Sequence, residues 1–297
     1  LNRKRKRVIT FHNVLSDDIY TPNVANGVSC SFTQFKTIIE SIGKRFKFSL
    51  DLDDASTATI TFDDGYDNQA TVAAPYLIER GIPAYLFVSG QLLNSTNDEL
   101  TIDKLLHWVS YAPDGLYQIS IIDETISFEL KSENRQKIWS QIIWPTFIAD
   151  CGAKGNNVLK ALDSAYPYNS IRNGLSADYA SQRLAGVTSL HLKILKDQGW
   201  QIGWHTRSHY PVAKLSTNEK VEELTWDEEI DSPVMSFPYG GIGDVDVESI
   251  EIVKKLGYQG AMSNINLKNK LSGNYFRSRM SLPNDPYSVS YTHLRAH

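Results

Sequence analysis

Two short stretches hold residue types that can do chemistry together. In "TATITFDDGYDN", residues 57–68, a β-branched run gives way to adjacent carboxylates, Asp63 and Asp64, and then to a glycine. In "HTRSH", residues 205–209, two histidines stand four apart. That spacing puts both imidazoles on one side of a helical turn, where they can reach a single ion. Alone, such a pair is a weak signal, better explained as two exposed histidines. With a carboxylate from a strand end it makes a set of two imidazoles and one carboxylate, which leaves coordination positions open for water and substrate, as in a catalytic metal site. Neighbouring side chains at a strand-to-loop turn point in different directions, so one aspartate can bind metal while the other faces the bound water. A like charge next door raises a carboxyl pKa, but a divalent cation favours both ionised forms near neutral pH. The alternative is that the two aspartates cap a helix beginning near Asp67. Capping takes one carboxylate, and Asp67 or Asn68 already offers a cap.

Along the rest of the chain β-rich and helical patterns alternate, as in parallel strands joined by crossover helices. Strands are expected near 7–12, 58–63, 83–89, 200–205, 234–238, 258–263 and 276–282. Between them, "DNQATVAAPYLIERG", "TSLHLKILKDQG" and "DVESIEIVKKLG" have helical periodicity and stop at Gly81, Gly199 and Gly257. These repeated units favour a barrel or a doubly wound sheet over a sandwich. In a parallel barrel, polar groups at the carboxyl ends of strands converge on one face. Asp63 and Asp64 end one strand, His205 and His209 follow "WQIGW", and Pro238 and Tyr239 close "VMSF".

The rhythm breaks between about residues 91 and 185. There, "YQISIIDETISFEL" reads as a hairpin turning at "DET", and "SENRQKIWSQIIWPTFIADCG" as an amphipathic helix with Ser132 as its cap. We read an inserted α+β segment at about 100–180, shaping a substrate groove or a subunit contact, within a domain spanning 1–290.

The chain has 297 residues, 41% of them hydrophobic and 22% charged, which suits one large α/β domain. A formal net charge of −4 offers no basic field for nucleic acid. The exception, "RKRKR" at 3–7, reads as a solvated terminus or a polyanion-binding patch. No apolar run approaches the roughly 18 residues needed to span a bilayer, and no signal peptide is visible. A cytoplasmic protein is expected, or a cell-envelope or secreted one after processing, since the chain begins at Leu1. Cys30 and Cys151 lack metal-type spacing and read as core fillers. Among the plentiful aromatics, most of which belong to a core, Trp204, Tyr210 and Tyr239 lie nearest in sequence to the chemistry.

These motifs resemble those of the polysaccharide deacetylases, metal-dependent carbohydrate esterases related to chitin and nodulation-factor deacetylases. "TFDDGYDN" resembles the first motif of that family, "HTRSH" the second and "SFPYG" the third. "ITFHNV", "GIPAYLFVSG" and "LKDQGWQIGWHTRSH" resemble its flanking strands and helix. The resemblance covers roughly residues 8–90 and 186–283 and omits the insertion. It implies a distorted (β/α) barrel in which Asp64, His205 and His209 hold zinc, or cobalt, nickel or manganese, and Asp63 is the general base. It also implies an oxyanion held by the metal and the Tyr239 backbone amide, and an N-acetylated oligo- or polysaccharide as substrate. An O-acetyl esterase, a non-carbohydrate amidase and a catalytically degenerate glycan-binding barrel are the alternatives.

The chain departs from the family pattern in two places. An arginine normally stands three residues before the proline of the third motif, steering the catalytic aspartate; here that position is Met235. Some branches carry an arginine in the last strand instead, which "FRSRMSL" matches through Arg279. Arg277 shares its strand parity, so a bulge near Ser278 is required if only Arg279 is to face inward. The late histidine motif that supplies the general acid is missing, since His293 and His297 lack its spacing and 291–297 reads as a frayed or foreign tail. His12, at the end of the first strand, is either a substitute acid or a buried structural histidine.

Overall fold

The structure is a computed structural model that describes residues 7–95, 98–121, 124–150, 156–241, 243–264 and 273–282. Arg3–Lys6 of the basic cluster, Cys151, His293, His297 and the tail 291–297 lie outside the described residues. Its strands are β1 (Arg7–Phe11), β2 (Val14–Leu15), β3 (Cys30–Ser31), β4 (Lys47–Phe48), β5 (Thr57–Phe62), β6 (Ala84–Val88) and the hairpin β7 (Gly115–Ile121) and β8 (Glu124–Leu130). They continue with β9 (Gln201–Trp204), β10 (Val234–Ser236), β11 (Gly260–Ser263), β12 (Arg277–Ser278) and β13 (Met280–Ser281). Every expected strand region carries one. The helices between them stop at the expected glycines, which take φ of +62° at Gly81, +82° at Gly199 and +90° at Gly257.

Two parallel sheets carry the fold. One has the order β13-β1-β5-β6-β9, with β4 also beside β5, and the other has the order β10-β11-β12. The last strand ties them together: β12 pairs with β11, β13 pairs with β1, and Arg279 alone separates the two. On the far side no ladder joins β9 to β10 among the described residues, so the sheet is not closed there. The segment before β10 satisfies that edge. The Asp231 and Ser232 N–H groups donate to the Ile202 carbonyl at 3.2 and 2.9 Å, and the Asp231 carboxylate accepts from Ile202 N–H at 3.0 Å.

Strand alternation sorts the side chains onto two faces. On β5, Ala58, Ile60 and Phe62 pack outward into a core shared with Phe35, Ile39, Ala74 and Leu77 of the covering helices. Burying a ring such as Phe62 contributes about 2–3 kcal/mol. Residues of the opposite parity from both sheets, Val8, Tyr85, Phe87 and Met262, form one interior cluster. Thr10, Thr61, Asp63, Ser236 and Arg279 are buried together in a polar layer linked by hydrogen bonds.

The inserted segment has a core of its own, in which Leu105, Trp108 and Val109 meet Phe128 and Leu130 of the hairpin and Phe147 and Leu162 of later helices. The helix expected from Ser132 begins instead at Arg135. Ser132 is not its cap: it lies two residues before the cap position, Asn134, and its backbone N–H and hydroxyl donate to Asp114 at 3.1 and 3.2 Å. The hairpin register pairs Ile121 with Glu124, so the turn comes before "ET"; its residues 122 and 123 lie outside the described residues.

His107, on the helix Thr101–Tyr111, is fully buried. Its Nδ1 donates to the Asp103 carbonyl at 2.7 Å, and its Nε2 lies 3.1 Å from the Tyr179 hydroxyl. Burial, helped by the nearby Arg183 charge, lowers its pKa to about 4. The folded state therefore keeps this imidazole neutral while the unfolded state takes up a proton below its ordinary value, so stability is lost as pH falls toward 4. The expected loss between pH 7 and pH 5 is about 2 kcal/mol. Urea unfolding at the two pH values checks it: His107→Gln removes most of the drop, and an undiminished drop in the variant rejects the assignment.

Candidate active site

The β1–β5 ladder continues one residue past β5, with Asp63 N–H donating to the Phe11 carbonyl at 3.1 Å. The chain then turns through Asp64 at φ +78° and Gly65 at φ +87°. Gly65 is required twice over, because a Cβ there would also sit 2.9 Å from Val88 Cγ1. The turn is pinned by Ser89 N–H on the Asp64 carbonyl and Val187 N–H on the Gly65 carbonyl, at 2.9 and 2.8 Å. Neither aspartate caps the following helix. They face different partners, Asp64 the histidines and Asp63 an arginine.

Asp64 Oδ1 lies 3.3 Å from His205 Nε2 and 3.0 Å from His209 Nε2. All three residues are buried, and their ligand atoms lie within 4.8 Å of one another. His205 Nδ1 is 2.8 Å from the Ser236 carbonyl, which can only accept, so the ring proton sits there and Nε2 turns its lone pair to the cluster. Asp64 Oδ1 and His209 Nδ1 have no well-formed hydrogen bond among the described residues. Burial would raise the Asp64 pKa, but the two histidines outweigh it and hold the carboxyl well below its usual range. Converging oxygen and nitrogen donors with an orphaned carboxylate oxygen fit a divalent cation. The inserted segment supplies none of these three ligands.

The histidines do not share a helical turn, contrary to expectation. Residues 205–209 form a loop with Thr206 at φ +66° and His209 at φ +58°, sparsely populated conformations for such residues. Glu223, buried at the end of the helix Thr217–Leu224, holds the loop in that shape. Its carbonyl accepts from Arg207 N–H at 3.1 Å and from Trp204 Nε1 at 2.9 Å, and its carboxylate accepts from Ser208 N–H at 2.7 Å. Glu223→Ala is expected to weaken metal binding about 10- to 100-fold, as for other groups that orient a ligand. Metal titration by calorimetry measures this, and unchanged affinity would show that the loop holds itself.

Arg279 meets Asp63 through a two-point fork, Nη1 to Oδ1 at 2.7 Å and Nη2 to Oδ2 at 2.5 Å. Its Nη2 also donates to Ser236 Oγ at 2.6 Å, and its Nη1 to Thr10 and Thr61 hydroxyls at 3.2 and 3.3 Å. Burial would raise the Asp63 pKa; Arg279 and then His205 bring it below the ordinary carboxylate value. Arg277 points the other way, to Asp53 at 2.9 Å. The two arginines diverge because Arg279 belongs to neither β12 nor β13, so strand parity restarts between them. His12 Nε2 stands 4.0 Å from Asp63 Oδ2. Burial keeps its pKa below the ordinary histidine value despite the facing aspartates.

His12, Asp64, His209 and Tyr239 line a cleft of about 540 Å³ together with residues of the insertion. Tyr239, at φ +57°, places its ring 4.8 Å from that of His209. Two of the three aromatics nearest the chemistry in sequence lie elsewhere. Trp204 is fully buried with its Nε1 on Glu223, and Tyr210 belongs to the core of the insertion, because that lobe packs over it. Met235 is likewise a core residue. The cleft aromatics missed from sequence include Trp139 and Trp144, from "WSQIIW" in the insertion, and also Tyr20 and Tyr66.

No protein-family model and no curated protein sequence matches the chain. Solved structures do match in fold. IcaB from Ammonifex degensii is 14% identical with a TM-score of 0.54, over 94% of this chain and 92% of that one. The deacetylase PplD of Streptococcus pyogenes, solved in complex with acetate, is 13% identical with a TM-score of 0.53, over 94% and 93%. A de-N-acetylase from Aggregatibacter actinomycetemcomitans is 12% identical with a TM-score of 0.53, over 97% and 98%. The chain thus shares, along almost its whole length, the fold of solved deacetylases.

Proposed function

We propose that the chain is a metal-dependent hydrolase that removes N-acetyl groups from amino sugars of a glycan, with the architecture of a distorted (β/α) barrel interrupted at about 100–180. The observation that carries this reading is a three-ligand cluster with a separate buried carboxylate beside it, 4.0 Å from His205 Nε2 and held ionised by an arginine. The shared fold supports it.

Asp64, His205 and His209 would hold the ion, zinc being our first choice and cobalt, nickel or manganese compatible with the same donors. Such an ion, when bound, polarises the acetamide carbonyl and acidifies the attacking water. Asp63 takes the proton of that water. It can do so because Arg279 keeps it ionised and fixes its direction without occupying every lone pair. The Tyr239 backbone N–H, on its tight turn, is the donor we assign to the developing oxyanion. His12, whose Nε2 is 4.0 Å from Asp63 Oδ2, is placed to take up the proton that Asp63 received and hand it on to the departing nitrogen. Acetate and a free sugar amine result.

Acetate release from an N-acetylglucosamine oligomer, measured after chelation and again after adding metal, tests the proposal. Release that requires metal is expected. Release only from O-acetylated sugars, or none from any acetylated glycan, would overturn the assignment. No helix among the described residues is long and apolar enough to cross a membrane.

A further inference from the structure

The insertion contributes more than a lobe of bulk to the cleft. Its helix 135–150 carries a wide turn over Trp139–Ile143, in which Trp144 N–H donates to the Trp139 carbonyl five residues back. In a regular α-helix, residues five apart point away from each other, about 140° around the axis. The extra residue of the wide turn brings them onto one side, and the two indole rings lie 5.9 Å apart. Trp144 also lies 5.3 Å from Tyr239, which lies 4.8 Å from the proposed ligand His209. A continuous run of aromatic rings therefore leads from the metal cluster out along the cleft, farther than one sugar ring requires. Trp139 and Trp144 are both partly exposed and line the cleft, with the exposed polar side chains of Gln136 and Ser140 beside them.

A pyranose ring offers apolar C–H faces and polar hydroxyl edges, and flat indoles with flanking amide and hydroxyl groups match both. We propose that Trp139 and Trp144 form a stacking platform for sugar rings next to the one being deacetylated, so that the enzyme selects oligosaccharides over a single sugar. This rests on the glycan reading of the site above. The wide turn is what builds the platform.

The test compares wild type, Trp139→Ala, Trp144→Ala and Trp144→Phe on an N-acetylglucosamine pentamer and on the single sugar. Each Ala variant is expected to raise KM for the pentamer about tenfold, the size of one stacked aromatic contact, with kcat unchanged. Activity on the single sugar stays the same, and Trp144→Phe keeps most of the affinity. In parallel, pentamer binding to Asp63→Asn protein is followed by tryptophan fluorescence, with and without Trp139→Ala. Thermal unfolding checks that Trp144→Ala, which also touches Phe147, is folded. If acetate is released but the Ala variants leave pentamer KM and binding unchanged, or raise KM equally for monomer and pentamer, the platform is wrong and the deacetylase reading stands. If no acetate is released, binding decides: pentamer affinity lost in Trp139→Ala supports the platform, and affinity retained there or absent in wild type rejects it.

Discussion

Asp63→Asn lowers turnover by at least about 100-fold, the scale of losing a general base, while the protein keeps its metal. Asp64→Asn and His209→Ala lose the metal itself. The distinction follows from where the two carboxylates point. Asp64 Oδ1 lies 3.0–3.3 Å from both imidazole Nε2 atoms, whereas the nearest Asp63 oxygen is 4.0 Å from His205 Nε2 and is taken up by Arg279. An asparagine at 63 fills the same volume but cannot accept a proton. Its amide also brings an N–H face toward a guanidinium that has only donors, so its orientation is lost together with its basicity. Acetate release and elemental analysis on the same preparations separate the roles. Equal metal loss in Asp63→Asn and Asp64→Asn would show that both carboxylates bind the ion.

Arg279→Met is expected to lower turnover by a similar factor with metal content unchanged, and also to destabilise the fold by about 3–5 kcal/mol, since it leaves a buried carboxylate without its partner. Both side chains are fully buried, so no solvent screens the change. Arg277→Met should cost no more than about 1 kcal/mol, because its partner Asp53 is 67% exposed. Arg279→Lys keeps the charge but not the fork and should recover only part of the loss. Urea unfolding and acetate release distinguish these outcomes. If Arg279→Met behaves like Arg277→Met, Asp63 is oriented by Ser236 and the histidines instead.

Local rules made much of the fold legible in the sequence. The period-two runs and the helices ended by glycine depend on neighbouring residues alone, and the structure has a strand or helix at each. Asp63, Asp64, His205 and His209 could be picked out because carboxylates and imidazoles at strand ends have no use in a core. The threonines of β5 were an overlooked signal, since Thr59 and Thr61 mark an interior face that is polar near its carboxyl end.

The order of the elements and the residue types at their ends are thus readable from the chain alone. The other features emerge only on folding, because they rest on contacts between residues far apart in the chain. The shape of "HTRSH" depends on Glu223 from a later helix, and the inward turn of Arg279 on the chain leaving one sheet for another within a single residue. Which tryptophans meet the cleft depends on where the insertion docks: Trp204, next to the histidines in sequence, is sealed in the core, while Trp139 and Trp144 line the cleft. Sequence distance says little about such faces, because burial is set by the element that packs on top, and that element is chosen by the fold as a whole.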